Sequence, residues 1–165
     1  MKQSKTIKKS MNLFILSLSK RRIAKYMMDK HIAKIILEAV QMLCTAARVY
    51  GDTNKILYKL AHKNHPVTIW CRASLGNYIW TLDLIDEMHK EWQFRYQHQK
   101  IHKSYIVAKY LRENPPTFEE IEMTPFALAM PQEYKSDDPI QSYRNYYMTK
   151  RFATWKNREK PYWFE

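Results

Sequence analysis

Glycine is almost absent from this sequence, which has 2 Gly among 165 residues. Tight hairpin turns and Gly-rich phosphate-binding loops both depend on glycine, so neither is expected. The sequence also lacks Walker, GxGxxG, GxSxG and CxxC motifs, which argues against nucleoside triphosphate hydrolysis and redox chemistry. Low glycine together with long stretches of helical periodicity predicts a mostly α protein.

Cysteine is scarce as well, since Cys44 and Cys71 are the only two and their spacing fits no metal site. This pattern favours a reducing compartment, so we predict a cytoplasmic location (the host cytoplasm for a viral protein). No apolar run approaches the ~20 residues of a membrane span, and residues 12–18 are too few for a signal peptide. We therefore predict no membrane contact, no metal and no other cofactor. The oligomeric state is left open.

Positive charge is concentrated at the two ends of the chain, whose formal net charge is +12. Residues 1–28 contain eight Lys/Arg and no acid, and residues 141–165 contain six Lys/Arg against two Glu. Aromatic rings alternate with these cations in SYRNYYMTKRFATWKNREKPYWF, residues 142–164. Basic ends with interleaved rings predict a nucleic acid partner, with DNA favoured over RNA.

The chain is predicted to form a mobile basic leader, residues 1–10, and a single compact helical domain, residues 11–165. A short strand is expected over 12–18 because the apolar run is brief. The Pro-rich stretch 114–138 is long for a loop, so we expect packing or a ligand to order it. Helices are predicted over 20–28, 30–49, 53–63, 74–96, 104–112 and 139–156.

The most informative of these is the long central helix, DKHIAKIILEAVQMLCTAARVYG from Asp29 to Gly51. It is apolar around most of its circumference, so we expect it to be buried. Asp29 is predicted to cap its start and Gly51 to end it. Its polar residues fall within one arc, which faces either a cleft or open water. This polar stripe consists of Lys30, His31, Lys34, Glu38, Gln41, Thr45 and Arg48.

The polar stripe carries the candidate catalytic residues. Lys34 and Glu38 are four residues apart and therefore lie on one helix face. If the stripe lines a cleft, the Lys34 amine, with its pKa lowered by desolvation and by neighbouring Lys30, attacks a sugar C1′, and Glu38 stabilises an oxocarbenium ion or moves a proton. His31 is assigned to proton transfer. If the stripe faces water, Lys34 and Glu38 form an ordinary surface ion pair; Gln41 favours the cleft.

Other residues are candidates for binding nucleic acid, because cations and helix starts attract phosphate. A metal site built from His31, His65, His102 and Glu38 lacks the usual ligand spacing. The predicted nucleic-acid-binding residues are Gln41, His65, Arg72, Asn77, His102, Lys103, Ser104, Arg144, Lys150 and Lys156.

The order of elements resembles a known family. An apolar run leads into a helix with a carboxylate, then into an HxxTxW turn (His65, Thr68, Trp70), and the chain closes with WKNREKPYWF. This layout resembles the pyrimidine-dimer DNA glycosylases of the phage endonuclease V type. Nearly all of residues 11–165 is also similar to uncharacterised proteins of phages and large viruses, which share the segments DKH…K…LE…QML, HP…W.R.S..NY.W, HKS, TPFA.AMP and YR.YY.

The glycosylase resemblance implies an enzyme that flips a damaged nucleotide, removes the base through a Schiff base and then cleaves the backbone as a lyase. Glu38 matches the catalytic Glu of that family. The family's nucleophile is the N-terminal amine of a processed chain, and here residues 1–10 precede Met11. The resemblance therefore leaves the amine to Lys34 or Lys30. Two alternatives stay open: a base-modifying transferase or nuclease using the same cleft, and a non-catalytic nucleic-acid-binding viral protein.

Overall fold

A computed structural model describes residues 11–165, so the predicted basic leader 1–10 lies outside the described residues. Within residues 11–165 the secondary structure is entirely helical, as the sequence predicts. The described residues form six α-helices and one 3₁₀ turn at Gln132–Tyr134. The helices are α1 (Lys20–Tyr26), α2 (Asp29–Val49), α3 (Pro66–Cys71), α4 (Leu75–Arg95), α5 (Lys103–Glu113) and α6 (Pro139–Tyr147).

The central position of α2 is confirmed, since it packs against α3, α4 and α5. Most of its apolar residues are buried, including Ile32, Ile36, Val40 and Leu43, whereas Leu37 and Val49 are exposed. All six helices contribute side chains to the same apolar cluster. At roughly 25 cal/mol per Å² of apolar surface, this burial is the main force that holds α2 in the middle of the fold.

The strand predicted over 12–18 does not form. Residues 11–17 are buried but follow an irregular path. Phe14 has a positive φ of 55°, and the Asn12 side chain accepts a hydrogen bond from the Phe14 backbone N–H at 3.0 Å. The local turn that results bends the chain and points Phe14 into the core. The short apolar run thus reflects burial among helices.

The prediction of a helix over 53–63 is wrong. This segment consists of turns and irregular chain. The side chains of Asp52 and Asn54 each accept a hydrogen bond from a nearby backbone N–H group at 2.9 Å. Arg48 of α2 donates to the carbonyls of Leu57 and Tyr58 at 2.9 and 2.7 Å. Backbone groups that would bond to one another within a helix are therefore bonded to side chains instead. Asp and Asn favour such turns because their short side chains bond to nearby backbone groups.

The stretch 114–138 is ordered by packing, one of the two predicted alternatives. Asn77 donates to the Thr124 hydroxyl and accepts from the Thr124 N–H, at 2.8 and 3.0 Å. The N–H of Gly76 donates to the Ile121 carbonyl at 2.8 Å. A side chain at position 76 would meet the backbone of Met123 and Ile121 at 2.8 and 2.9 Å, so this close approach requires glycine.

The helix predicted over 139–156 begins as expected, with Asp138 capping the Ile140 N–H at 2.9 Å, but ends at Tyr147. The chain beyond it returns to the start of α2. There the Asp29 carboxylate accepts hydrogen bonds from the Lys156 N–H and the Thr154 hydroxyl, at 2.9 Å each. Asp29 is thus not the N-cap of α2; Met28 is, and Asp29 anchors the C-terminal segment instead.

Arg95, at the end of α4, joins these parts of the fold. Its side chain is fully buried and lies 2.9 Å from a Glu91 oxygen and 3.2 Å from an Asp29 oxygen. It also donates to three carbonyls around the end of α1, those of Ala24, Lys25 and Met27. The guanidinium therefore fixes the α1–α2 junction against α4.

We expect Arg95→Met to destabilise the fold by about 3–5 kcal/mol, because it leaves a buried Glu91 carboxylate and three carbonyls with lost partners. Arg112→Met is the matched control. Arg112 also binds two carboxylates, Asp83 and Asp86, but its side chain is 40% exposed. That substitution is expected to cost about 0–1 kcal/mol. Urea denaturation followed by circular dichroism measures both values, and equal losses would contradict the role given to Arg95.

Candidate active site

The first contacts at the polar stripe of α2 involve His31. Its ring is nearly parallel to that of Phe14, with centroids 4.6 Å apart. On its other side, Nδ1 lies 2.8 Å from the hydroxyl of Tyr147 on α6. The same hydroxyl accepts a hydrogen bond from the Met28 N–H at 2.9 Å. His31 is consequently held between the N-terminal segment and α6.

These contacts define the protonation of His31. Burial, followed by the positive charges of Lys150, Lys34 and Lys30, lowers the pKa of His31 to about 3. Burial raises the pKa of Tyr147, so its phenol is neutral. Because the phenol oxygen already accepts from Met28, its hydrogen satisfies His31 Nδ1. His31 is therefore a neutral imidazole with its proton on Nε2.

Lys34 and Glu38 lie beside His31 on the same face of α2. The Lys34 Nζ is 3.9 Å from a Glu38 oxygen, and the two side chains are 61% and 14% exposed. This contact is at the outer limit of an ion pair and leaves the amine largely in water. The carboxylate, by contrast, is mostly enclosed, which strengthens its interaction with any charge that develops nearby.

Lys150 reaches this face from the turn after α6. Its Nζ lies 4.7 Å from the ring centroid of Tyr146 and 5.5 Å from that of Phe14. Burial, followed by the charge of Lys34, lowers the pKa of Lys150 below its usual value. The sequence assigned Lys150 to DNA binding at the basic C-terminus. In the structure it also lies within electrostatic range of His31 and Lys34.

Six side chains from three parts of the chain thus form one cluster, which we call the α2 site. It contains a mostly enclosed carboxylate, two amines, a neutral imidazole and two aromatic rings. Its members are Phe14, His31, Lys34, Glu38, Tyr146 and Lys150.

The rest of the polar stripe has other surroundings. Lys30 is exposed at the start of α2, with its Nζ 4.7 Å from the ring centroid of Phe152. Gln41 is half-buried one turn beyond Glu38. Thr45 exchanges hydrogen bonds with the backbone of Ala61 at 3.0 and 3.1 Å. Together with Arg48, Thr45 is covered by the segment 52–63, so only the first half of the stripe contributes to the α2 site.

Four of the predicted DNA-binding residues have packing roles. His65 and His102 are N-caps, and their Nδ1 atoms accept from the N–H groups of Val67 and Ser104 at 3.1 Å.

Ser104 is buried with its hydroxyl 2.8 Å from that of Tyr58. Asn77 is buried and its amide is bound to Thr124 and Trp70. Asn77 and Ser104 therefore have no surface for DNA.

The remaining residues predicted to bind DNA lie at separate positions in the fold. The Arg72 carbonyl accepts from Tyr50, the C-cap of α2, at 3.0 Å. Since Tyr50 is twelve residues after Glu38, Arg72 lies about 18 Å farther along the α2 axis and does not join the α2 site. Lys103 and Lys156 are exposed. Arg144 donates to the Leu16 carbonyl at 3.0 Å and lies over the ring of Trp163.

Phe14 and Tyr147 are functional candidates that sequence reasoning missed. Phe14 was assigned to a strand, and Tyr147 was grouped with the DNA-contacting rings of the C-terminus although it is fully buried. Both are far from α2 in sequence. Only the aromatic spacing of residues 143, 146 and 147 on α6 hinted at a packed face.

Two further properties concern the described residues. Within residues 11–165, no three His, Cys, Asp or Glu side chains are grouped closely enough to hold a metal ion. No helix in the same part of the chain is long and apolar enough to cross a membrane.

The fold and the α2 site define a small all-helical protein in which amines and a carboxylate meet on one central helix. A family model for pyrimidine dimer DNA glycosylases matches residues 11–104, more than half of the chain. The protein therefore belongs to the pyrimidine dimer DNA glycosylase family, and its function at that level is glycosylase-like DNA repair with DNA as the substrate. No curated protein and no solved structure matches it.

The low pKa of His31 predicts a pH-dependent stability. Above pH 6.5, His31 is neutral in both the folded and the unfolded state and adds nothing. Below pH 6.5, the unfolded state binds a proton that the folded state does not bind until about pH 3. We expect the free energy of unfolding to fall by about 2 kcal/mol between pH 7 and pH 5 from this residue.

His31→Asn is the control for this effect. Asn offers an acceptor near the position of Nδ1 but does not titrate in this range. Urea denaturation at pH 7 and pH 5 should show a smaller loss of stability for the variant than for the wild type. The lowered pKa values of His65, His89 and His102 leave a residual loss in both proteins. Identical pH dependence would contradict the neutral state of His31.

Proposed function

We propose that the protein is a DNA glycosylase with AP lyase activity that acts on damaged pyrimidines through an amine nucleophile and the Glu38 carboxylate. The observation that carries the proposal is the Lys34–Glu38 contact on α2 with Lys150 close by. The family match supports it, since residues 11–104 include α2 and both of these α2 side chains.

In the proposed reaction, the lone pair of an uncharged amine attacks C1′ of the damaged nucleotide. The glycosidic bond breaks and its electron pair leaves with the base, which takes up a proton. The enclosed Glu38 carboxylate stabilises the positive charge that develops at C1′ and O4′. The nitrogen then loses a proton, and its lone pair forms the C1′–nitrogen double bond as the C1′–O4′ bond breaks and O4′ takes up a proton. The product is a protonated imine between C1′ and the amine nitrogen.

The lyase step follows from the imine. Loss of a proton from C2′ to Glu38 lets the C3′–O3′ bond break, and its electron pair leaves with the phosphate. Water then hydrolyses the imine and frees the amine. His31 is neutral, so its part is that of a hydrogen-bond donor through Nε2 rather than of an imidazolium acid.

Three lysines are candidates for the amine. Lys34 and Lys30 follow from the sequence, and Lys150 is added by its position in the α2 site. The Lys34 amine is 61% exposed and lies 3.9 Å from a Glu38 oxygen, so it is largely hydrated. Lys150 is partly desolvated and faces Lys34, and both effects favour the neutral amine that a nucleophile needs. This comparison favours Lys150.

Borohydride trapping on a duplex with an abasic site tests the mechanism. We expect a covalent adduct that Lys→Arg substitution of the nucleophile abolishes, since Arg keeps the charge but forms no Schiff base. Lys30→Arg, Lys34→Arg and Lys150→Arg are compared, with exposed Lys109→Arg as the control. Peptide mapping then locates the adduct.

Glu38→Gln is expected to lower the trapping rate by a factor of about 10²–10⁴, in line with the usual contribution of a catalytic proton-transfer group. Absence of an adduct in the wild type would contradict the lyase mechanism. A nuclease would instead cleave without trapping and lose activity in EDTA. A non-catalytic DNA-binding protein would bind DNA equally well with Glu38→Gln and would lose binding when Lys150 and Lys156 are changed to Glu.

A further inference from the structure

Tyr147, the last residue of α6, is fully buried and has a hydroxyl with two partners. The hydroxyl accepts a hydrogen bond from the Met28 N–H at 2.9 Å and lies 2.8 Å from Nδ1 of His31. The phenol and imidazole rings pack edge to face, with centroids 5.3 Å apart. The backbone carbonyl of Tyr147 accepts from the Lys150 N–H at 3.0 Å. One buried residue therefore contacts two members of the α2 site.

The Tyr147 hydroxyl determines which nitrogen of His31 can act on a ligand. A neutral imidazole carries its proton on one nitrogen, and the hydrogen bond made by the other nitrogen decides which one. Because the phenol hydrogen is directed to Nδ1, the proton of His31 is on Nε2. The ring of Phe14 stacks on the imidazole with centroids 4.6 Å apart and restricts its tilt. The second nitrogen of His31 is therefore a hydrogen-bond donor and cannot act as a base.

The charges around His31 suit a neutral donor. Residues 11–17, which pack on one side of the ring, have no charged side chain, and the Glu38 carboxylate lies two turns farther along α2. The cations that act on the imidazole are Lys150, Lys34 and Lys30. A fourth positive charge at this position would oppose the positive charge that develops on the sugar in the proposed reaction. A neutral N–H group donates a hydrogen bond without that repulsion.

We propose that Tyr147 is a positioning residue of the α2 site, whose hydroxyl holds His31 as a neutral donor to the nucleotide at the lesion. The proposal rests on the proposed function, because it requires damaged DNA at the α2 site. Tyr147 is too deeply buried to contact DNA, so it acts through His31. The competing role for the hydroxyl is stabilisation of the fold alone.

Tyr147→Phe tests the proposal, because it removes the hydroxyl and keeps the ring. Tyr143→Phe is the matched control, since Tyr143 is also on α6 and is 1% exposed. The Tyr143 hydroxyl donates to the Ala127 carbonyl at 2.6 Å and accepts from the Ala129 N–H at 3.2 Å. Each substitution leaves one backbone N–H without its hydroxyl acceptor, so both variants should show a similar fall in Tm. Only Tyr147→Phe changes the partner of His31.

Single-turnover cleavage of a duplex with one pyrimidine dimer, measured over a range of protein concentrations, separates DNA binding from chemistry. Alkali added after quenching also converts released-base products into breaks, so both steps are counted. Tyr147→Phe should lower the maximal rate by roughly 10- to 100-fold, the range seen when a partner that orients a metal-bound histidine is removed. The half-saturating protein concentration should stay the same. Tyr143→Phe should change neither value.

A double-variant cycle shows whether the effect passes through His31. His31→Phe keeps a ring stacked on Phe14 but has neither donor nor acceptor. Tyr147→Phe should therefore not slow the His31→Phe variant any further. Nitrogen-15 NMR of the imidazoles gives a readout that does not depend on activity, with His31→Phe identifying the His31 signals. Nδ1 of His31 should be unprotonated in the wild type, and its signal should move in Tyr147→Phe but not in Tyr143→Phe.

The results that would overturn the inference are distinguishable from failure of the proposed function. If the wild-type protein neither releases a base nor cleaves the duplex, the proposed function fails together with the positioning role. If the wild type reacts and Tyr147→Phe reacts as fast as Tyr143→Phe, only the positioning role fails. Equal slowing by Tyr147→Phe with and without His31 would assign the hydroxyl to the fold alone. A proton on Nδ1 of His31 in the wild type would also contradict the inference.

Discussion

The buried guanidinium of Arg95 binds the carboxylates of Glu91 and Asp29 and the carbonyls at the end of α1. A full positive charge in the interior is tolerated because nearly every donor has an acceptor. The same Asp29 fixes the turn that carries Lys150 and Phe152. Arg95 therefore determines the direction in which α2 leaves α1 and, through Asp29, where the C-terminal cations lie relative to His31 and Glu38.

The polar residues of α2 serve three purposes along the helix. Asp29, just before the polar stripe, holds the C-terminal segment; the middle of the stripe contributes to the α2 site; and Thr45 and Arg48 at its end bind carbonyls of the segment 52–63. The residues of this one continuous stripe in the sequence therefore lie in several different environments in the structure. The sequence left two alternatives for the surroundings of the stripe, a cleft or a solvent face. The last turns of α2 fit neither, because they are covered by backbone of the same chain.

The two long helices were predictable to within one or two residues, because their apolar periodicity is strong and Ser74 caps α4 through the Asn77 N–H. The segment 53–63 was not predictable. The spacing of its apolar residues is helical, but its hydrogen-bond partners lie on α2. The site was partly predictable. Glu38 and Lys34 share a helix face by spacing alone. Phe14 joins the site through His31, 17 positions away, and Lys150 acts on Lys34, 116 positions away, and no local pattern encodes either contact.

The charges around His31 bear on how one site could both bind DNA and supply a neutral amine. After burial, the positive charges of Lys150, Lys34 and Lys30 lower the pKa of His31, and repulsion by Lys34 lowers the pKa of Lys150. A phosphate placed among them would relieve that repulsion and raise the pKa of the nearest amine, which weakens it as a nucleophile. In the proposed reaction, phosphate binding and attack at C1′ are therefore assigned to different lysines. Exposed Lys30 is assigned to the phosphate, and Lys150, which lies against the rings of Phe14 and Tyr146 and whose pKa is lowered by burial, is assigned to the attack.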